Sequence, residues 1–198
     1  MRKIILFILL ILSSVMCLFF VQESYAKYLT SANRNASMSI ARWKILVNNL
    51  DIKNNNTAEA TITPVFDGTD NIASGIIAPT STGYFDLVID ASQADVSFKY
   101  NISISVNENS SVKDLVATGY EIDNGDLIPL EKDNQSIEDT VMYTNENKII
   151  NIRVYILWDD SEDATMDNTE DTLATTNPDN SALMDVNFTF TQVAQTAS

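Results

Sequence analysis

The run Val96-Ser97-Phe98-Lys99-Tyr100-Asn101-Ile102-Ser103-Ile104-Ser105-Val106 alternates apolar and polar side chains at every step. A helix would scatter its apolar residues around the axis, whereas a strand turns them all to one face. The run therefore predicts a strand with one buried and one wet face. The same period returns at Met184, Val186, Phe188 and Phe190, and at Phe85, Leu87 and Ile89. Residues 149–158 differ: Ile150, Ile152, Val154, Ile156 and Trp158 line one face, while Ile149, Tyr155 and Leu157 make the other partly apolar. That predicts a central strand covered on both sides. In residues 38–47 the apolar phase slips from Met38 and Ile40 to Ala41, Trp43, Ile45 and Val47, as at a bulge or a switch between sheets. Residues 58–66 carry Pro64 and suit an edge. Between the runs, Asp67-Gly68, Gly75, Pro79, Gly83 and Asn124-Gly125 supply turn chemistry. The clearest helix candidate is short, at residues 136–143. About eight strands and few short helices predict an all-β fold, a two-sheet antiparallel sandwich of jelly-roll type, in preference to an open barrel.

Composition narrows the function. The chain has 198 residues, 45% hydrophobic and 20% charged, with 12 Lys and Arg against 27 Asp and Glu, and a formal net charge of -15. No basic stripe is available to displace counterions from a phosphate backbone, so no nucleic-acid partner is expected. His is absent. The commonest general base and the commonest zinc ligand are therefore missing, and no carboxylate pair stands in a recognisable catalytic motif. The chain reads as no enzyme. Its aromatics, Trp43, Trp158, Phe98, Tyr100, Phe188 and Phe190 among them, sit at core-facing parity and read as packing before they read as a sugar platform.

The amino terminus predicts a compartment. Arg2 and Lys3 precede an uncharged apolar run over residues 4–21, and Ser24-Tyr25-Ala26 offers small residues for cleavage. Residues 1–26 read as a cleaved signal peptide, residues 27–40 as a separate leading segment and residues 41–198 as the β-sandwich domain. A retained anchor is the competing reading. Cys17, the one cysteine, lies inside the apolar run, so the domain folds without disulfides.

The most distinctive segment is residues 159–180, which carry Asp159, Asp160, Glu162, Asp163, Asp167, Glu170, Asp171 and Asp179 with no basic residue. Calcium takes six to eight oxygen ligands, and the first seven of these carboxylates are the candidate set for such a loop. The spacing is not that of an EF-hand. A solvated acidic loop that keeps the protein soluble is the other reading.

Several stretches together resemble the TasA/camelysin-like secreted proteins of Gram-positive bacteria. They are the export signal ending Tyr25-Ala26, the start Lys27-Tyr28-Leu29-Thr30, Ala41-Arg42-Trp43 followed by Asn48-Asn49, and the run Ile76-Ile77-Ala78-Pro79-Thr80-Ser81-Thr82-Gly83-Tyr84-Phe85. Trp158-Asp159-Asp160, Glu170-Asp171-Thr172 and Thr191-Gln192-Val193 add to the likeness. The resemblance implies a jelly-roll subunit, released by an export signal peptidase of the SipW type and assembled with copies of itself into biofilm-matrix or surface fibres. It also implies that the freed leading segment acts as a donor strand, here with Lys27, Tyr28, Leu29, Met38 and Ile40 as its contacts. The metallopeptidase label attached to camelysins does not carry over, because no zinc-ligand motif is present. The expectation is a secreted, non-enzymatic structural protein with no permanent membrane anchor after cleavage. The rival is a monomeric cell-surface binding module for calcium or glycan.

Overall fold

The computed structural model describes residues 2–3, 12–16, 41–52, 56–176 and 181–193. The chain divides into two units, Met1–Ile40 and Ala41–Ser198. In the first, the described residues 2–3 and 12–16 are helical. No helix among the described residues is long and apolar enough to cross a membrane.

The second unit is a sandwich of two antiparallel sheets. Its strands are β1 (Leu46–Val47), β2 (Leu50–Asp51), β3 (Thr57–Ile62), β4 (Thr82–Asp90), β5 (Phe98–Val106), β6 (Leu115–Ile122), β7 (Ile128–Pro129), β8 (Ser136–Val141), β9 (Ile149–Trp158) and β10 (Met184–Gln192). One sheet has the order β2-β1-β4-β9-β6-β7 and the other β3-β10-β5-β8. If β3 to β10 are counted as first to eighth, the sheets run second-seventh-fourth-fifth and first-eighth-third-sixth, which is the strand order of a jelly roll. The β1–β2 hairpin extends the first sheet at β4. Its turn residues Asn48 and Asn49 have φ of 47° and 67°, the left-handed pair that a two-residue hairpin twisted like its strands requires.

The alternating run that decides the fold becomes β5, with Phe98, Tyr100 and Ile102 wholly buried and Ile104 nearly so. Opposite it in the core stand Phe85, Leu87 and Ile89 of β4, with Ile152, Val154, Ile156 and Trp158 of β9. The rings of Trp43, Phe98, Phe190 and Phe188 form a chain with centroids 5.9, 6.1 and 6.3 Å apart. β3 is an edge strand, as expected, but it ends at Ile62, before Pro64. Beyond it, Val65 pairs with Tyr84 across the face of Gly83, whose Cβ position lies 2.6 Å from the Val65 carbonyl and 2.7 Å from the Phe66 ring. Any side chain there would push the 65–66 crossing off β4.

Three expectations need correction, and the turn expected at Asn124-Gly125 is present but shifted by one residue. The segment 136–143 is a strand over Ser136–Val141, where Ile137 and Val141 turn inward against Ile102 and Phe98 of β5. An open nine-residue neighbour outweighs local helical preference. β9 is central but not covered on both sides: Asn151 and Arg153 on its outer face are exposed. The turn after β6 is centred on Asp123 and Asn124, both left-handed at φ of 50° and 58°, one residue before the Asn-Gly pair. Its closing bond runs from the Gly125 N–H to the Ile122 carbonyl, 2.8 Å. Finally, residues 41–45 are not strand and β1 is only Leu46–Val47, so no bulge within a strand lies over 41–47; Met38 and Ile40 lie outside the described residues.

β6 itself was not anticipated, because a bulge between Ala117 and Gly119 shifts its inward phase from Leu115 and Ala117 to Tyr120 and Ile122. The Gln135 side chain takes the place of a strand there. Its amide nitrogen Nε2 donates to the Ala117 carbonyl at 2.9 Å, and its Oε1 accepts from the Ala117 N–H at 2.8 Å. The Gln135 carbonyl meanwhile accepts from Ile104 of β5 at 2.9 Å. One residue thus ties the two sheets. Replacing it with Ala orphans a half-buried N–H and carbonyl, and Gln135→Ala is expected to lower unfolding stability by about 1–3 kcal/mol in urea titration.

Candidate functional site

The acidic segment leaves β9 at Trp158 and crosses to the helix Asn168–Thr176. Three of its carboxylates, Asp159, Asp167 and Glu170, are occupied with the chain's own donors. Asp159 holds Lys132 at 2.7 Å and the Ser161 N–H at 3.1 Å, and these bonds keep its carboxyl below the usual range. Asp167 caps the helix, accepting from the Thr169 and Glu170 N–H groups at 2.8 and 2.9 Å, while Glu170 accepts from the Asp167 N–H at 3.0 Å. This is a reciprocal capping box, and Asp-x-x-Glu was its sequence signal. Asp160, Glu162 and Asp163 are exposed. Asp179 lies outside the described residues, as do Lys27, Tyr28, Leu29, Met38 and Ile40. No three His, Cys, Asp or Glu side chains among the described residues converge as a metal cluster.

Two carboxylates in this region are buried. Asp114, which sequence reading missed, accepts from the Thr165 N–H and hydroxyl at 3.0 and 2.6 Å and from the Met166 N–H at 2.6 Å. Burial alone would raise its pKa, but those donors outweigh it and the carboxyl titrates low. Asp171 is the opposite case. It is 6% exposed, its Oδ1 has no hydrogen-bond partner among the described residues, and burial followed by the charges of Asp160, Asp114, Asp167 and Glu170 pushes its pKa up.

The outer face of the six-stranded sheet carries a second constellation. Asp86 of β4, Arg153 of β9 and Glu121 of β6 lie in one row across three strands. Arg153 grips Asp86 through Nε and Nη2 at 2.8 and 2.9 Å, and its guanidinium carbon lies 4.1 Å from the centre of the Tyr84 ring. The pair lowers the Asp86 pKa and raises that of Arg153. In the next rows, the Tyr155 hydroxyl donates to Glu121 at 2.9 Å, and Asp123 Oδ1 accepts from the Asn151 backbone and side chain at 3.0 and 2.9 Å. These groups border a groove of about 470 Å³.

At the sandwich entry, Arg42 is fastened to Asp95. Its backbone N–H and Nε donate to Asp95 Oδ2 at 2.9 Å, its Nη2 to Oδ1 at 3.0 Å, and its carbonyl accepts from the Asp95 N–H at 3.0 Å. The guanidinium holds the Asp95 pKa down to about 2.

The Asp171 environment sets a pH-dependent expectation. A carboxyl whose folded pKa is raised penalises the folded state wherever it is ionised, and the penalty vanishes below the unfolded value of 3.8. Asp171→Asn should therefore raise the melting temperature at pH 7, with the gain shrinking as pH falls and gone below 3.8. Asp114→Asn should lower it at pH 7, and that loss should also fade in acid. Against known proteins, the sequence matches no family model and no curated protein.

Proposed function

We propose that this chain is a secreted, non-enzymatic subunit of extracellular-matrix or cell-surface fibres, assembling by donating residues 27–40 as a strand to the sandwich of the next copy. The observation that carries this reading is a contrast between sheet edges. The six-stranded sheet ends in β2 and β7, of two residues each, whereas the four-stranded sheet ends in β3 and β8, of six residues each. Short edges resist pairing, and long ones offer a row of free N–H and carbonyl groups to another chain.

Of the two long edges, β3 is the better acceptor. β8 exposes Glu138 and Asp139, with Glu138 engaged by Lys99 and Asn101. β3 carries one charge, Glu59, and its Ala58, Ala60 and Ile62 pack only half-buried against the core. A strand laid beside them would finish that burial, with Tyr28, Leu29, Met38 and Ile40 as its apolar anchors. Because donor and acceptor are different surfaces, the contact repeats head to tail into an open filament. The Arg42–Asp95 fastening holds the first residues of the sandwich domain in place. Self-association is the partner class this reading implies, and an export signal peptidase would free the donor.

Removing residues 27–35 tests the reading. The chain starting at Lys27 should form filaments visible by electron microscopy, and the shortened chain should stay monomeric with an unchanged circular dichroism spectrum and melting temperature. A 27–40 peptide added to the shortened chain should bind it. Filaments formed equally well by the shortened chain would overturn the proposal.

A further inference from the structure

We infer that the groove on the outer face of the six-stranded sheet is a binding site for an uncharged oligosaccharide. The inference does not depend on fibre assembly, since it uses a sheet face and not an edge. The groove holds about 470 Å³, within the roughly 300–1,000 Å³ typical of small-ligand clefts. Its wall sets planar polar groups around Val88: Asp86, Arg153 and Glu121 in one row, Asn151 and Asp123 in the next, with Asn124 and Asn147 at its rim.

These groups are positioned by one another rather than by a ligand. Arg153 spends Nε and Nη2 on Asp86, Glu121 spends one oxygen on Tyr155, and Asn151 spends its amide nitrogen on Asp123. Each keeps a second donor or acceptor with no protein partner among the described residues: Arg153 Nη1, Glu121 Oε2, Asn151 Oδ1, Asp123 Oδ2. The Asn147 oxygen accepts from the Ile149 N–H at 3.0 Å, which leaves its Nδ2 uncommitted. Held donors and acceptors side by side suit adjacent hydroxyls, each of which both donates and accepts, and pre-organisation spares the entropy of ordering them on binding.

Two further observations favour sugar over other occupants. Three carboxylates face the groove against one guanidinium, on a chain of net charge -15, so an anionic polymer would be repelled. Tyr84 and Tyr155 pair across β4 and β9 one row away from Asp86 and Arg153; Arg153 covers the Tyr84 ring, and the half-exposed Tyr155 is the aromatic that a chain of pyranose rings leaving the groove would meet.

The test is a titration of the full-length chain with cellotetraose and with chitotetraose, followed by amide chemical shifts and calorimetry. At least one of these neutral tetrasaccharides should shift the amides of residues 121–124 and 147–153. Asn124→Gly, which keeps the turn geometry, combined with Asn147→Ala should weaken binding at least tenfold without moving the melting temperature. Tetragalacturonate, the anionic counterpart, should not bind. The inference fails if neither neutral sugar shifts those amides, if the double variant binds as the parent does, or if the anionic sugar binds equally well.

Discussion

Everything in the sandwich depends on one apolar seam, the contact of β5 and β10 with β9 and β4 across the space between the sheets. Phe98, Tyr100, Ile102, Val186, Phe188 and Phe190 from one side and Leu87, Val154, Ile156 and Trp158 from the other are all at most 1% exposed. The only cysteine is Cys17, so no covalent bond shares the load within residues 41–198. At roughly 1.5–3 kcal/mol for each large side chain buried, these ten contribute on the order of 15–30 kcal/mol against the chain entropy lost in ordering two sheets. It is packed tightly enough that two polar atoms, the Tyr100 hydroxyl and the Trp158 indole nitrogen, remain buried without a partner among the described residues. Those orphans show which effect dominates: aromatic surface is worth more here than the hydrogen bonds it forgoes.

The seam also explains what the sequence made legible. β4, β5, β9 and β10 are long, cross the middle of the sheets and keep a strict period of two, so their side chains announce them. β6 was hidden because its bulge breaks the period, and the residue that stabilises the bulge, Gln135, is eighteen positions from Ala117 and carries no local signal. β8 was misread because Ser136, Glu138 and Asp139 imitate a helix start, while the partner that makes it a strand lies far away in the chain. The helix Asn168–Thr176 was overlooked although its Asp-x-x-Glu cap was in view, because the surrounding charge drew attention to ions instead.

The acidic segment gains a structural reading from the geometry. Asp159, Asp167 and Glu170 spend their charge on Lys132 and on backbone amides, and Asp114 does the same from the neighbouring loop. The outer groove follows a different logic. Its side chains come from β4, β6, β9 and two turns, so no single stretch of sequence contains the constellation. Only the register that sets Asp86 opposite Arg153, and Arg153 opposite Glu121, brings it together.

The central claim is that the long, thinly guarded edge of the four-stranded sheet is where another copy adds its strand. Amide hydrogen exchange, compared between dispersed and assembled protein, reads that edge directly. The account predicts that the amides of Thr57, Glu59 and Thr61, which point away from β10, exchange fast in the dispersed chain and become strongly protected on assembly, while those of Leu50, Asp51 and Ile128 stay as they were. Assembly that left Thr57, Glu59 and Thr61 as exchangeable as before would contradict it.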